Sequence, residues 1–479
     1  SNNAARYCEE YTFKNSSSNQ ITLRVPEWNV TYTTPEEAGV YGAYCIEAGL
    51  SKSGVFVLKP GETLEFYAVF SGRKLVDASS GRNDAGLSHI NILSERAARE
   101  ALISQWWSNL VLDTPDPVLN RMFAFAKLRG AESIYRTKGG LMHGPGGEAY
   151  YAAVWANDQA EYINPFFPFL GYEIGNESAL NSFRHFARYM NPEYKPIPSS
   201  IISEGVSFWH GAKDRGDGAM IAYGAARYAL ARGDKAEARE LWPLIEWCLE
   251  YCNRKLTPAG VVASNSDELE NRFPAGDANL CTSTLYYDAL RSAVMLGREL
   301  GVSAKQLNMY RNQANALEKA IEKHFGYEIE GFHSYRYYEG NDILRSWICM
   351  PLVMGIYTRA QGTIDALFSP RLWTDDGLLT QAGTETFWDR STLYALRGTI
   401  AAGEVEKGMN FLKKYSHRRL LGDHVPYAIE AWPEGDQRHL SAESGLYCRI
   451  YTEGLFGIRP TGLRSFEMTP RLPQEWEHM

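Results

Sequence analysis

The chain has 479 residues, of which 44% are hydrophobic and 22% charged, enough apolar material for a sizeable buried core. A net charge of -8 and a pI near 5.8 argue against nucleic acid or an anionic membrane surface as partner. No apolar run approaches the roughly 18 residues of a membrane span, so no transmembrane helix is expected.

Aromatic residues make up 13%, including 12 Trp and 29 Tyr. Flat apolar faces with a polar tip suit sugar rings, and they suit core packing equally. The seven cysteines are scattered. Cys248 and Cys252 stand four apart on a predicted helix, too sparse a set for a zinc site or a disulfide framework. No metal and no cofactor are expected. The chain begins with Ser and carries no signal-peptide pattern, which fits a mature or trimmed form and leaves localisation, export included, open. Sequons at Asn15, Asn29 and Asn176 decide nothing, and the oligomeric state is not legible.

In chain order, residues 1–93 read as an antiparallel β-sandwich segment that starts abruptly. Ile21–Val25 alternates, and a Lys59-Pro60-Gly61-Glu62 turn leads into Thr63–Phe70. Residues 94–116 read as a linker helix ending in Trp106-Trp107. From residue 117 to 459 the period is helical, with twelve predicted helices near 118–135, 155–170, 177–190, 217–232, 235–254, 279–300, 304–324, 343–356, 358–368, 391–402, 404–415 and 442–456. Gly233 followed by Asp234 and Glu237, and Gly301 followed by Ser303 and Gln306, mark two helix ends with capping-box starts behind them. Short and long connections alternate. Twelve helices so connected predict a mainly α fold, an (α/α)6 barrel whose long loops gather at one rim. Residues 460–479 read as an extended tail, one short strand joining the N-terminal sheet.

Four segments on the long loops carry chemistry. Ser264–Asp277 places Asp267, Glu268 and Glu270 within four residues ahead of a long amphipathic helix. Neighbouring carboxylates near a helix N-terminus push one another's pKa values apart, a setting for a general acid. The bland alternative is a solvated acidic loop. Trp155-Ala156-Asn157-Asp158 opens the second helix, with the indole as a stacking face and the carboxylate as a hydroxyl acceptor, or a mere partner of the helix dipole. Trp388-Asp389-Arg390 either grips a sugar or pairs structurally. Glu430 and Glu434, beside Trp432, offer a general base facing residues 267–270, and an inverting pair needs roughly 6.5–9.5 Å between carboxyl groups.

From about Pro117 onward the chain resembles the (α/α)6-barrel glycoside hydrolases, the superfamily of glucoamylases, processing-type α-glucosidases, α-rhamnosidases and family 95 α-fucosidases. Trp155-Ala156-Asn157-Asp158 is similar to their sugar-binding Trp-x-x-Asp. Ser266–Phe273 is similar to the Ser-Pro-Glu-Asn segment that holds the general acid, which implies Glu270, with Leu269 where Pro is usual. Glu430-Ala431-Trp432 is similar to the segment that supplies the base, and Glu434 stays its rival. Phe387–Arg390 loosely resembles their aromatic-Trp-Arg-Gly. The resemblance implies an inverting glycoside hydrolase with a carbohydrate substrate, its individual family unassigned. Two other classes stay open: a glycoside phosphorylase, with Arg438 and His439 as phosphate ligands, and a non-catalytic glycan-binding protein. A lyase fits less well, since a mildly acidic chain gives little positive field for a uronate polymer.

Overall fold

The computed structural model describes residues 6–36, 42–75, 92–145, 153–202, 207–422, 428–433 and 438–479, apart from the side chains of 207, 438 and 439. It divides into two compact units, residues 1–104 and 105–479.

In the first unit, strands Arg6–Lys14, Thr63–Lys74, Tyr44–Leu50 and Asn29–Thr33 lie side by side in that order, all antiparallel. Tyr11 stands opposite Phe66 and Phe13 opposite Leu64. A separate pair, Ile21–Val25 with Gly54–Leu58, contributes Val25 and Leu58 to a small core shared with Leu64 and Phe66. The period-2 alternation read at Ile21–Val25 is thus the alternation of this core face.

The second unit is helical. Among its described residues six inner helical segments follow one another: Ala156–Ile163, Asp217–Arg232, Leu280–Leu300, Ser346–Cys349 running on as Met350–Val353, Asp389–Ala401, and Ala442–Arg449 running on as Ile450–Leu455. Each packs on the next, and the sixth packs back on the first. Between them stand Glu173–Ala187, Lys235–Arg254, Ala304–Phe325, Ala360–Leu367 and Val405–Leu421, while Pro117–Glu132 packs on the sixth. The inner helix Leu280–Leu300, read from the sequence as amphipathic, is buried on nearly every side, whereas Lys235–Arg254 and Ala304–Phe325 keep one wet face.

Local chemistry sets the boundaries. Asp116 caps the Val118 and Leu119 amides at 2.9 and 3.4 Å, with Pro117 at the first helical position. Gly233, at φ +68°, ends the second inner helix, and Asp234 caps Ala236 and Glu237 at 2.7 and 2.9 Å. The predicted capping boxes are half made. The Glu237 side chain binds Tyr228 and Arg232, and the Gln306 side chain binds Glu246 and Tyr310, so neither returns to its cap. Lys127, buried, donates to the carbonyls of Trp106, Trp107, Asn109 and Leu110 at 2.6–3.2 Å and so closes the end of the Ile92–Ser108 helix.

The long connections all meet at one end of the inner helices. Backbone hydrogen bonds join each to its neighbour: Ala156 to Ser199, Asn265 to Asp214, Leu280 to Tyr337, Ser346 to Thr380, Phe387 with Trp432, and Ser441 back to Pro145. At the far end a buried ion-pair cluster ties the helices together, with Arg227 on both oxygens of Asp288 and Glu453 meeting Arg227, Arg397 and Arg449. The tail departs from expectation. Arg459–Gly462 pairs with Ser465–Glu467 as its own hairpin, and it packs on the second and third inner helices instead of joining the N-terminal sheet.

Candidate active site

Residues 267–270 form a tight turn at the rim. The Asp267 carboxylate accepts the Leu269 amide at 2.8 Å, and Glu270 and Asn271 then take left-handed backbone, φ +58° and +67°. Two consecutive non-glycine residues in that region are uncommon, and the turn they make presents the Glu270 side chain to Arg215 at 3.3 Å and Arg272 at 3.5 Å.

The two neighbours expected to act on Glu270 turn elsewhere. Asp267 is buried and accepts from Tyr337 at 2.9 Å, with Arg345 at 3.9 Å. Burial pushes its carboxyl up. Glu268 is buried too, accepting from Tyr162, with the Cys281 sulfur at 3.4 Å. Asp267 was expected to bind substrate. Its oxygens are instead committed to holding the turn.

Arg215 sits on the connection entering the second inner helix. It is fully buried, donates to Asp217 at 2.9 and 3.2 Å and to Asn157 at 3.3 Å, and lies over the rings of Trp155 and Trp209. It thus ties the Trp155–Asp158 segment to the Glu270 turn.

Across from it, Arg390 stands at the start of the fifth inner helix, buried over Trp388 and Tyr162. Its Nε and Nη2 donate to one oxygen of Glu443 at 3.0 and 2.6 Å, and Nη2 lies 3.7 Å from Asp158 and 3.9 Å from Glu430. Three carboxyl groups therefore surround one guanidinium. Burial pushes Asp158 up to about 6, against the pull of Arg390, with the charges of Glu430 and Glu270 adding to the rise. Burial likewise pushes Glu443 up to about 8, again against Arg390, with Asp158 and Glu430 adding. Arg215 joins Glu270 to Asn157, the neighbour of Asp158, and Arg390 lies within 4 Å of Asp158 and Glu430, so the three carboxyl groups stand around one rim.

Of the remaining expected residues, Trp155 and Trp388 are buried with indole N–H groups that find no acceptor among the described residues. Trp388 is flanked by Arg390 and Arg272, each over its ring. Trp432 is half-buried and pairs its backbone with Phe387. Asp389 is a correction. It is fully buried, accepts Arg419 at 2.8 Å through both oxygens, and also takes Tyr415 and the Ile429 amide, which leaves no oxygen for a sugar. Glu434 lies outside the described residues, as do the side chains of Arg438 and His439.

Sequence reading missed Arg215, Asp217, Glu443 and Glu161, the buried neighbour of Glu268. Glu161 accepts from Tyr394, and burial with Glu268 nearby holds its carboxyl far above the usual range. A signal for Arg215 and Asp217 existed in Lys213-Asp214-Arg215-Gly216-Asp217, a charged cluster entering an inner helix as Asp158 does. Glu443 stands similarly in the first turn of the last inner helix.

No family description matches the sequence, and no curated protein matches it. Solved structures do. A sialidase structure aligns over 98% of this chain at 13% identity with a TM-score of 0.59, and the chain spans 54% of its length. A glycosidase in complex with glucose aligns over 74% of this chain and 98% of its own, at 13% identity and a TM-score of 0.53. A putative kojibiose phosphorylase from the human microbiome aligns over 98% and 73%, at 10% identity and 0.56. At such identities the likeness is one of fold. The chain has the fold of these glycosidase and phosphorylase structures.

Proposed function

We propose that this protein is a carbohydrate-active enzyme, a glycoside hydrolase of the inverting kind on an (α/α)6 barrel. The closed order of packing among the six inner helices supports the barrel reading. The observation that carries the functional reading is the position of Asp158, buried with one carboxylate oxygen that makes no hydrogen bond among the described residues, sharing Arg390 with Glu430 and standing next to Asn157, which Arg215 ties to Glu270.

In this reading a sugar ring lies against Trp155. Its hydroxyls meet the unpartnered oxygen of Asp158 and the unpartnered indole N–H groups of Trp155 and Trp388, since buried polar atoms are normally paired. Glu270 donates a proton to the glycosidic oxygen as the leaving group departs. Glu430, with Glu434 as its rival, takes a proton from a water molecule attacking the opposite face of the anomeric carbon. Asp267 and Asp389 support the loops and do not touch substrate.

A second reading is favoured by the likeness to the putative kojibiose phosphorylase. There phosphate replaces water as nucleophile, and a base is not needed. The test is a panel of glycosides incubated with and without inorganic phosphate, with the first-formed anomer followed by NMR. Phosphate-independent release of a sugar of inverted configuration supports the hydrolase. Sugar 1-phosphate as product supports the phosphorylase, and no turnover of any glycoside sinks both.

A further inference from the structure

The arginine between the three carboxyl groups shows an asymmetry that an ordinary ion pair would not have. An ionised carboxylate facing a guanidinium is usually held in a fork, one N–H to each oxygen. Here both N–H groups of Arg390 go to Oε1 of Glu443, and Oε2, buried, has no hydrogen-bond partner among the described residues. Arg390 meanwhile keeps Asp158 and Glu430 within 4 Å. One oxygen accepts twice as a carbonyl would, and the other, which no N–H or O–H of the described residues approaches, has its lone pairs open to a proton.

We infer that Glu443 is a proton-holding positioning residue. As a neutral carboxylic acid it fixes Arg390 through its carbonyl oxygen without neutralising it, and so leaves the guanidinium charge to Asp158 and Glu430. This rests on the reading of Asp158 and Glu430 as pocket groups of a glycoside-cleaving enzyme.

The surroundings are consistent with it. Glu443 faces Arg390 from the fifth inner helix, Asp158 from the first, and Glu430 from the strand Ala428–Glu430, with Tyr162 beneath Arg390. The Pro117–Glu132 helix packed on its own helix turns Lys127 to backbone carbonyls and pairs Arg129 with Glu132. Three anions around one cation in a buried site are mutually unfavourable, and the deepest of them is the one to hold the proton. Were Glu443 to ionise, it would compete with Asp158 and Glu430 for the same guanidinium.

The experiment compares the whole protein with Glu443→Gln, Glu443→Ala and Glu443→Asp. The unaltered protein should lose kcat/KM above about pH 8, and Glu443→Gln, which keeps the carbonyl acceptor and cannot ionise, should remove that fall. Glu443→Ala, which frees Arg390, should lower kcat at every pH by roughly tenfold or more. A merely structural Glu443 would give Gln and Ala the same pH profile as the unaltered protein, and that result overturns the inference.

A second readout needs no substrate. With aspartate carboxyl carbons labelled, Asp158 should show by NMR its own titration near 6 and a further inflection near 8 as Glu443 ionises. Glu443→Gln should remove the second inflection. If that variant does not fold, Glu443→Asp should keep the second inflection and shift it. Should no glycoside be turned over at all, the hydrolase reading fails while the Asp158 titration still decides the inference. The absence of the second inflection in the unaltered protein overturns it.

Discussion

Gly224 of the second inner helix lies so close to the first that a Cβ placed on it would stand 1.6 Å from the carbonyl oxygen of Ala160. The contact is with backbone, which cannot rotate away as a side chain would. Gly224→Ala would push apart the two helices whose N-terminal ends carry Asp158 and Asp217. The expected cost is about 3 kcal/mol or more, at or beyond the top of the usual overpacking range. Urea unfolding followed by circular dichroism checks it. An unchanged midpoint would mean the two helices are not packed as described.

Lys127 supports the second prediction. Its ammonium is shared among four carbonyls and faces no carboxylate among the hydrogen bonds it makes, and burial lowers its pKa. Lys127→Met keeps most of the volume and strands those carbonyls at the end of the Ile92–Ser108 helix. A loss of about 2–4 kcal/mol is expected, since each buried unsatisfied group costs about 1–3 and some of the four will find water. Calorimetry on the pair should show it. Lys127→Arg should recover part of the loss, because a guanidinium can still donate to several carbonyls.

What the sequence made legible follows from which forces are local. Eleven of the twelve helical segments begin within three residues of their predicted positions, because caps such as Asp116, Asp234 and Ser303 and stops such as Gly233 and Gly301 act through adjacent backbone. The Glu270 turn and the Trp155–Asp158 segment were visible as charge beside aromatic residues on long loops. The direction of each carboxylate was not. Asp389 looked like a sugar ligand because its neighbours do, and it is taken by Arg419 and Tyr415, 30 and 26 residues further along the chain. Glu443 was overlooked because its partner Arg390 is 53 residues away. Pairings of that range depend on how the inner helices close on one another, and no local pattern records them.

Stability should depend on pH from both sides. For Glu443 the folded value, about 8, lies above the ordinary 4.5, so the folded chain holds a proton that the unfolded chain has released. Its contribution is fully present below about 4.5 and is lost as pH rises through 8, and Asp158 acts in the same sense between 3.8 and about 6. Glu453 is the opposite case. Burial alone would raise it, but Arg449, Arg397 and Arg227 outweigh that and hold it at about 2, so its contribution is present above 4.5 and lost as pH falls through 2. The melting temperature should therefore decline from pH 5 to 8 and again below pH 4. Glu443→Gln should flatten the first decline and leave the second. A melting curve whose alkaline slope is the same in both proteins would show that Glu443 has its ordinary pKa.

The division of labour between the carboxyl groups is open to a leaving-group test. If Glu270 is the general acid, Glu270→Gln should slow alkyl glycosides, whose leaving groups need a proton, far more than activated aryl glycosides, which do not. The difference should be on the order of 100-fold or more in kcat/KM, the usual scale of general acid catalysis. Glu430→Gln should be slow on both kinds by a similar factor, and azide should not restore it with retained configuration. Asp158→Asn, which keeps an acceptor oxygen and loses the charge, should lower kcat/KM for both kinds equally, by roughly 10–100-fold, the loss of one charge-assisted hydrogen bond. Asp158 is the rival for the acid role, because its carboxyl is pushed up to about 6 and its Oδ1, 3.7 Å from Arg390, makes no hydrogen bond among the described residues, whereas Glu270 is paired with Arg215 and Arg272. If the leaving-group dependence appears in Asp158→Asn and not in Glu270→Gln, the proton comes from Asp158, and Glu270 serves to anchor Arg215 at the pocket edge.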